Sequence, residues 1–324
     1  MKYSIVIISK DRRDLLLKCL HKLVAIKDHP EIIVVEAADS LPPITLQGVT
    51  YIQIPAAQSG YAYQRNLAIQ HARGEYIVFA DDDIDITPEW YGRLTAPVDE
   101  DPKIAGVMGG VFPDQPTIIG FCEGVLGHPG GGFRMHHQAK GRLYPLDQVA
   151  TCNTIIKKSV IEAVGGFDLR NHHGSEDSDL CIRVTKQYGL RQFRYVPDAL
   201  VYHKPRNAFK KIIPWYIRRG KADMELFLKH STHLKYVLQT SILMKVLILL
   251  AFAWIFKSAW ILPAGLALWY GMQLFRSVFM FNYFSYYHFS SIQRILIFFI
   301  FPAIKLVADF MFDLGRLQRI LSSR

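Results

Sequence analysis

The stretch at residues 76–83 constrains the fold of this chain more than any other, because a short apolar run there ends in three consecutive carboxylates. Four of its first five residues are apolar and β-prone, which predicts a strand buried on both faces of an α/β sheet. Ligands of open α/β sheets bind beyond the carboxyl ends of the strands. Three acids at such a point repel one another unless a cation lies among them, and oxygen ligands favour Mg²⁺ or Mn²⁺, which usually accompany a phosphate. The run therefore predicts a metal–diphosphate site; a solvated turn before a helix at Trp90 is the alternative.

The first half of the chain alternates strand and helix patterns. Strand patterns occur at residues 5–8, 31–35, 51–54 and 76–80, and helical spacing of apolar residues occurs at 14–24 and 63–72. This β-α-β-β-α-β order predicts an α/β sheet with right-handed crossovers. Strands at 150–156 and 193–196 and helices at 159–164 and 179–188 are also predicted. Residues 106–141 are rich in Gly and Pro, which favours a mobile active-site flap.

Charge is spread unevenly along the chain. From His203 onward there are 17 Lys and Arg against 4 Asp and Glu, whereas the preceding part has 21 against 24. A segment that is both basic and apolar predicts contact with an anionic membrane surface, and no recognition motif points to nucleic acid. The four cysteines show neither C-x-x-C nor zinc spacing, which predicts free thiols in a reducing compartment. No export signal is apparent, so the first half is expected in the cytoplasm.

Three apolar stretches follow, at residues 237–256, 259–275 and 292–312. Each is close to the roughly twenty residues that a membrane span needs, and together they leave little polar surface for a soluble domain. Two to three membrane-embedded segments are therefore predicted, with a tight hairpin at Lys257. The basic C-terminal residues Arg316, Arg319 and Arg324 are expected on the cytoplasmic side, which requires an even number of crossings and places one segment in the interface.

A set of motifs appears in a fixed order along the chain. The first is Ser9-Lys10-Asp11-Arg12, and the second is Gln64-Arg65-Asn66 followed by the three acids at 81–83. The third is Gly165-Gly166-Phe167-Asp168 with Glu176-Asp177 shortly after it, and the fourth ends in His203. Together these resemble family 2 glycosyltransferases of the GT-A fold over roughly residues 3–205, and the apolar, basic tail is similar to membrane-bound members.

The resemblance implies an α/β fold class, a GT-A Rossmann-like mixed sheet flanked by helices, followed by an α-helical membrane-associated C-terminal region. The implied domains are a catalytic domain at residues 1–205, basic amphipathic juxtamembrane helices at 206–235 and a membrane-embedded helical region at 236–324.

The resemblance also implies a metal site for Mn²⁺ or Mg²⁺. Asp81 would face the ribose and metal side of a nucleotide-sugar donor, and Asp83 would ligate the ion directly. Asp82 is the weaker candidate, with local hydrogen bonding as its alternative role. His203 occupies the position where some members carry a metal-ligating histidine; a structural histidine is the other interpretation.

Glu176 and Asp177 match the family's acceptor-side acidic pair. Asp177 would be the general base that takes the proton of an acceptor hydroxyl, giving inversion at the anomeric carbon, and Glu176 would hold an acceptor hydroxyl or orient the loop. Carboxylates favoured at a helix N-terminus are the structural alternative.

Nucleotide contacts are implied for Ser9 and Arg12 after the first strand and for Arg65. Glu36 stands where the family commonly has Asp after the second strand, and Asp39 follows three residues later. Either acid could touch the base, so the nucleotide stays open.

These features predict a membrane-anchored, metal-dependent, inverting glycosyltransferase whose catalytic domain is cytoplasmic. Its acceptor is expected to be a lipid-linked or other membrane-associated glycan, with a bare polyprenyl phosphate as the rival. A nucleotidyltransferase and a non-catalytic membrane protein remain as alternatives. Lys210, Lys211, Arg218 and Arg219 are expected to face either a phosphate or the membrane surface.

Overall fold

The computed structural model describes residues 2–230 and 234–322. Arg324 and residues 231–233, which belong to the predicted 206–235 segment, lie outside the described residues. Nine strands are defined there: β1 (Tyr3–Lys10), β2 (Glu31–Ala37), β3 (Val49–Ile54), β4 (Tyr76–Asp81), β5 (Ile84–Ile86), β6 (Gly106–Pro113), β7 (Tyr144–Leu146), β8 (Asn153–Lys157) and β9 (Phe193–His203). The α-helices of the same residues are α1 (Arg13–Leu23), α2 (Tyr61–His71), α3 (Trp90–Glu100), α4 (Ile118–Leu126), α5 (Gly132–Ala139), α6 (Lys158–Ala163), α7 (Glu176–Tyr188), α8 (Phe209–Lys229), α9 (Leu234–Thr240), α10 (Ile242–Ile255), α11 (Ile261–Ser277) and α12 (Ser291–Leu321).

The chain divides into two compact units. The first comprises Met1–Asp114, Gly127–His172 and Glu176–Lys204, and the second comprises Gln115–Leu126, His173–Ser175 and Pro205–Arg324.

The first unit is built on one mixed sheet in the order β3-β2-β1-β4-β8-β6-β9-β5, with β7 paired to β9. Strands β1 to β4 are parallel, β8 runs antiparallel to β4 and β6, and β6 is parallel to β9. Hydrophobic clusters cover both faces of the sheet, and every residue of β2 is buried. The predicted mixed α/β sheet with flanking helices is confirmed.

The prediction of a mobile flap over residues 106–141 is wrong for its first part. Gly106–Pro113 is a fully buried strand in the middle of the sheet. Its glycines allow close backbone approach, since a Cβ at Gly109 would lie 2.2 Å from the carbonyl oxygen of Ala199. The glycines of this segment, whose number favoured a loop, therefore allow the strands to pack closely. Two short helices, α4 and α5, follow the strand.

Strand β9 is longer than the four residues predicted for it and alternates buried and partly exposed positions over Phe193–His203. Its far end pairs antiparallel with β5, where His203 lies opposite Ile84. This pairing brings His203 to the turn that carries the three aspartates.

The second unit is helical. Helices α8 and α12 pack closely where two glycines meet: a Cβ at Gly220 would lie 1.9 Å from the carbonyl oxygen of Phe312, and a Cβ at Gly315 would lie 2.0 Å from that of Ile217. Among the described residues, one helix, α12, is long and apolar enough to cross a membrane; an 18-residue stretch of it has a mean hydropathy of 2.2. The first predicted apolar stretch is interrupted at Ser241, which caps α10 by accepting a hydrogen bond from the amide of Met244.

Candidate active site

Strand ends place the three predicted aspartates at one edge of the sheet. Asp81 is the last residue of β4 and lies opposite Ile8 of the parallel strand β1. Asp82 and Asp83 form the turn into β5, which is held against β9. The site thus lies beyond the carboxyl ends of β1 and β4, as expected for an open α/β sheet.

A cluster of three side chains could hold a divalent cation. Nε2 of His203 lies 3.2 Å from Oδ2 of Asp81 and 3.1 Å from Oδ1 of Asp83. Neighbouring ligands of an octahedral ion with bonds of about 2.1 Å are separated by about 3 Å, so these spacings suit Mg²⁺ or Mn²⁺. The donor set of two carboxylates and one imidazole suits Mn²⁺ in particular.

Two further observations support a cation at this point. Nδ1 of His203 lies 3.0 Å from the carbonyl oxygen of Lys204. Because Nδ1 donates to that carbonyl, Nε2 faces the two carboxylates: it donates to Asp81 when it is protonated and can ligate a metal when it is not. Oδ1 of Asp83 is buried and has no hydrogen-bond partner within the described part of the chain. An ion would satisfy both atoms.

Asp82 points to a different set of partners. Its Oδ2 accepts a hydrogen bond from the hydroxyl of Ser9 at 2.6 Å, and its Oδ1 accepts one from Arg12 at 3.1 Å. The same guanidinium donates to Oδ2 of Asp83 at 2.8 Å. Ser9 and Arg12, predicted to contact the donor, therefore support the aspartate turn. Half of the Arg12 side chain is exposed, which leaves it free to meet a phosphate as well.

The pKa values follow from these contacts. Burial raises the pKa of Asp82 to about 6, and the charges of Asp83 and Asp81 add to the rise against the opposing effects of Arg12 and Ser9. Burial alone would raise the pKa of Asp81 too, but the hydrogen bond and charge of His203, together with Arg65 and Arg12, lower it below its usual value. The two neighbouring acids are thus electrostatically distinct.

Arg65 lies between the metal cluster and the acidic pair of α7. Its side chain is buried and forms an ion pair with Glu176, the first residue of α7. Its other terminal nitrogen lies 3.9 Å from Oδ1 of Asp81. The structure therefore brings Arg65, Glu176 and Asp81 together, and it gives Arg65 two carboxylate neighbours within the protein.

Asp177 follows Glu176 at the start of α7 and is only partly buried. Its Oδ1 accepts a hydrogen bond from the amide of Ser178 at 2.7 Å. The buried thiol of Cys152 has a raised pKa because of burial and then the charges of Asp81 and Asp177. Both carboxylates thus lie near one buried thiol.

The two sequence neighbours of Arg65 connect α2 to other elements of the first unit, a role that the motif alone did not reveal. The side-chain amide of Gln64 donates to the carbonyls of Ser9 and Val35, both at 3.0 Å. Asn66 donates to the carbonyl of Phe167 at 2.7 Å and accepts from the amide of Phe167 at 2.9 Å. Gln64 therefore ties β1 to β2, and Asn66 ties α2 to the Gly-Gly-Phe-Asp loop.

The two acids proposed for the nucleobase differ in accessibility. Glu36 is fully buried; it pairs with Arg13 and accepts a hydrogen bond from the hydroxyl of Tyr51 at 2.9 Å. Asp39 is exposed at the end of β2, and its Oδ1 accepts from the amide of Ala56 at 2.8 Å. Of the two, Asp39 is the one that a ligand could reach without rearrangement.

Comparison with known proteins identifies the region that carries the three aspartates, Ser9, Arg12 and Arg65. Residues 4–119 match the model of glycosyl transferase family 2. This region belongs to glycosyl transferase family 2. The family assignment made from the motifs is confirmed.

The chain is also similar to two curated proteins, at lower levels of sequence identity and coverage. Glucosyl-dolichyl phosphate glucuronosyltransferase of Haloferax volcanii is 27% identical over 158 residues, which cover 45% of this chain and 48% of the relative. O-antigen biosynthesis protein RfbC of Myxococcus xanthus is 25% identical over 234 residues, which cover 66% of this chain and 18% of the relative. The chain thus spans less than half of the length of either relative.

A solved structure supports the fold. The mannosyltransferase PcManGT from Pyrobaculum calidifontis, in complex with GDP-Man and Mn²⁺, has a TM-score of 0.54 and 14% sequence identity, covering 100% of this chain and 88% of that chain. The predicted GT-A fold is confirmed.

Proposed function

We propose that this chain is a metal-dependent, inverting glycosyltransferase that moves a sugar from a nucleotide-sugar donor to a hydroxyl of a membrane-associated, lipid-linked glycan. The observation that carries the proposal is the convergence of Asp81, Asp83 and His203 on one point, with Arg65 joining Asp81 to Glu176 beside Asp177. Asp81, Asp83 and His203 would then bind the metal ion of the diphosphate, and Asp177 would activate the attacking hydroxyl.

On the donor side, Asp81, Asp83 and His203 would hold Mn²⁺ or Mg²⁺, which supplies Lewis-acid stabilisation of the departing nucleotide diphosphate. Arg12, half exposed beside Asp83, would add a guanidinium to the same phosphates. Asp39 would be the acid at the nucleobase, since Glu36 is enclosed by Arg13 and Tyr51.

On the acceptor side, Asp177 would take the proton from the acceptor hydroxyl as its oxygen attacks the anomeric carbon. The hydrogen bond from the Ser178 amide fixes one of its oxygens and leaves Oδ2 for the acceptor. Attack from the face opposite the departing diphosphate inverts the anomeric configuration. The Arg65–Glu176 ion pair would hold the first turn of α7, and with it Asp177, at a fixed place.

The acceptor proposal draws on the second unit and on one relative. The C-terminal helices are apolar and basic, and anchoring an enzyme beside a lipid-linked acceptor raises the effective concentration of that acceptor. The Haloferax relative is named for a lipid-linked sugar, glucosyl-dolichyl phosphate. We therefore place the enzyme at the cell membrane by a helical hairpin, with its catalytic unit in the cytoplasm. Transfer to a bare polyprenyl phosphate is the second candidate; such an acceptor is already anionic and needs no general base.

The test uses the purified full chain with a panel of nucleotide sugars, Mn²⁺ and extracted lipid-linked glycans. We expect acceptor-dependent release of nucleoside diphosphate and a product whose anomeric configuration, read by NMR, is opposite to that of the donor. Asp177→Asn should lower kcat by at least about a hundredfold, within the usual range for a general base, and leave donor binding near that of the parent. Full activity of Asp177→Asn would refute its role as base, and activity on bare polyprenyl phosphate alone would favour the second candidate.

A further inference from the structure

The helices of the second unit expose large apolar side chains to a degree that soluble surfaces rarely do. Trp254 is 83% exposed, Trp260 is 80% exposed and Phe275 is 81% exposed. Further exposed apolar residues of α10, α11 and the first half of α12 are Leu247, Ile248, Leu250, Phe252, Leu268, Ile292, Ile295, Leu296 and Phe299. This surface needs an apolar partner.

Helices α10 and α11 form a hairpin that is short for a membrane span. Gly265 of α11 packs against Leu249 of α10, and the turn between the helices carries Lys257. The helices have 14 and 17 residues. At 1.5 Å per residue these are about 21 and 26 Å long, whereas the hydrocarbon core is about 30 Å thick.

Helix α12 has 31 residues, but its second half lies beside α8. The contacts run in the same direction along both helices. Ile212 and Tyr216 of α8 pack with Ala308, Gly220 meets Phe312, Asp223 pairs with Arg316, and Glu225 pairs with Arg319. Ile304 and Val307 line a small cavity together with Phe209 and Ile212 of α8, so α12 is a partner of α8 from about Ile304 onward.

Helix α8 is too charged for hydrocarbon. Its eight charged residues are Lys210, Lys211, Arg218, Arg219, Lys221, Asp223, Glu225 and Lys229. Charged groups within a bilayer are rare and expensive, and a helix with this many stays in the headgroup region or in water. The part of α12 that lies along α8 must stay there too.

The part of α12 that remains, Ser291 to Ala303, has thirteen residues and is about 20 Å long. This part is no longer than α10, and the charged residue Arg294 lies in its first turn. The length and hydropathy of α12 as a whole suggest a span, but its packing leaves too little of it free to make one.

The start of α10 is hydrogen-bonded to the charged second half of α12. Ser241 donates a hydrogen bond to Oδ2 of Asp313 at 2.9 Å, and Thr240 accepts one from Arg316 at 2.7 Å. Asp313 and Arg316 are both buried and paired. The α10–α11 hairpin therefore begins in the headgroup region or in water, where α8 and the second half of α12 lie.

We propose that the second unit is monotopic: the α10–α11 hairpin and the first half of α12 insert, tilted, into one leaflet of an anionic bilayer, and none of these helices crosses it. The tilt keeps the hairpin turn shallow, so that Trp254 and Trp260 enter the leaflet while the ammonium of Lys257 between them reaches the headgroups. Lys210 and Lys211, exposed at the start of α8, face the anionic headgroups. The proposal concerns attachment alone and stands independently of sugar transfer, because its test reads topology without any assay of activity.

Cysteine accessibility in the full-length protein tests the proposal. The four native cysteines are all buried, so an exposed engineered cysteine can be labelled against a low background. Three single variants at exposed positions serve: Ala259→Cys at the hairpin turn, Ser285→Cys between α11 and α12, and Ser322→Cys after α12. Each is expressed in cells, and a membrane-impermeant maleimide is added to inside-out and to right-side-out vesicles.

We expect Ser285→Cys and Ser322→Cys to react in inside-out vesicles and to be protected in right-side-out vesicles. Ala259→Cys should be protected in both and should react once detergent removes the lipid. Reaction of Ser285→Cys and Ser322→Cys in opposite vesicle types would show that α12 crosses, and reaction of Ala259→Cys in right-side-out vesicles would show that the hairpin crosses. Protection of Ala259→Cys that persists in detergent would show that protein, such as a second copy, covers the turn. Each of these three results overturns the proposal.

A binding measurement adds an independent readout. Trp254→Ala combined with Trp260→Ala should weaken binding of the full chain to phosphatidylethanolamine–phosphatidylglycerol vesicles by on the order of tenfold or more, because two large apolar side chains leave the lipid. Leu190→Ala is the matched control, since Leu190 is 71% exposed in the first unit. Equal binding by the double variant and the control would contradict insertion of the hairpin turn.

Discussion

Arg65 and Glu176 form a buried ion pair that joins α2 to the first residue of α7 across 111 positions of sequence. The same guanidinium lies 3.9 Å from Asp81 in the candidate metal cluster. Arg65 also lies over the rings of Tyr61 and Phe167, each 5.8 Å from the ring centroid. Arg65 is therefore held by several contacts, and its pair with Glu176 joins the donor side of the proposed site to the acceptor side.

Removal of one member of the pair should destabilise the first unit. Arg65→Met deprives the buried carboxylate of Glu176 of the Arg65 guanidinium, and the expected loss is about 3–5 kcal/mol in the free energy of unfolding. The combined Arg65→Met and Glu176→Met variant should lose less than the sum of the two single variants, because no unpaired charge remains. Urea unfolding of all four proteins measures this coupling, and additive losses would show that the two residues do not interact.

Removal of a proposed metal ligand should abolish metal-dependent stabilisation. In Asp83→Asn the affinity for Mn²⁺ should fall by about a hundredfold or more, because even the loss of a residue behind the ligands costs about 10–100-fold. Thermal unfolding with and without Mn²⁺ and a nucleoside diphosphate measures the change as a shift in apparent Tm.

Asp85→Asn is the matched control for this experiment. Asp85 lies two residues further along, on β5, where it forms an ion pair with Lys22 and takes no part in the cluster. Its response to Mn²⁺ should equal that of the parent. If Asp83→Asn responded to Mn²⁺ as Asp85→Asn does, the ion would have to bind elsewhere.

The parts of the fold that are visible in the sequence are those decided by local patterns. The apolar run that ends at Asp81 is buried on both faces, and that burial is why its pattern is continuous rather than alternating. A position of His203 near the aspartates was implied by the resemblance to family 2 glycosyltransferases, and the pairing of β5 with β9 provides the physical reason.

The parts that the sequence did not show depend on contacts between distant segments. The strand at Gly106–Pro113 has the composition of a loop, because its glycines are required by the neighbouring backbones and not by a turn. The enclosure of Glu36 depends on Arg13 and Tyr51, which no periodicity links to it. The apolar run at residues 292–312 predicts most of α12, but no sequence pattern predicts that α12 packs against α8.

The contribution of Glu31 to stability should depend on pH. Burial would raise the pKa of this carboxyl, but hydrogen bonds from Ser4 and from the backbone and side chain of Arg73 lower it below its usual value. A lowered pKa stabilises the fold at pH values above the unfolded pKa of about 4.3, and this contribution is lost as the pH falls through the folded value. Glu31→Gln should therefore be less stable than the parent by about 1–3 kcal/mol at pH 7, and the difference should shrink toward pH 3.

Urea unfolding midpoints across this pH range test the sign of the effect. Glu75→Gln is the control, because Glu75 is more than half exposed and lies 3.5 Å from Lys157 in a surface pair that contributes little. A difference between Glu31→Gln and the parent that stays constant from pH 7 to about pH 3 would exclude a contribution from ionised Glu31.

A methyl group at Gly220 should separate α8 from α12. The new Cβ would lie 1.9 Å from the carbonyl oxygen of Phe312, and neither backbone can move aside without shifting a helix. Overpacking of this kind typically costs about 1–3 kcal/mol, and contact with backbone places Gly220→Ala at or above the upper end. The helices of the second unit should then melt at lower temperature, as followed by circular dichroism at 222 nm in detergent.

Gly271→Ala in α11 is the matched control: a Cβ there meets no atom within 4 Å, and alanine favours the helix by about 1 kcal/mol. Equal melting of the Gly220→Ala protein and this control would mean that α8 and α12 do not meet at Gly220.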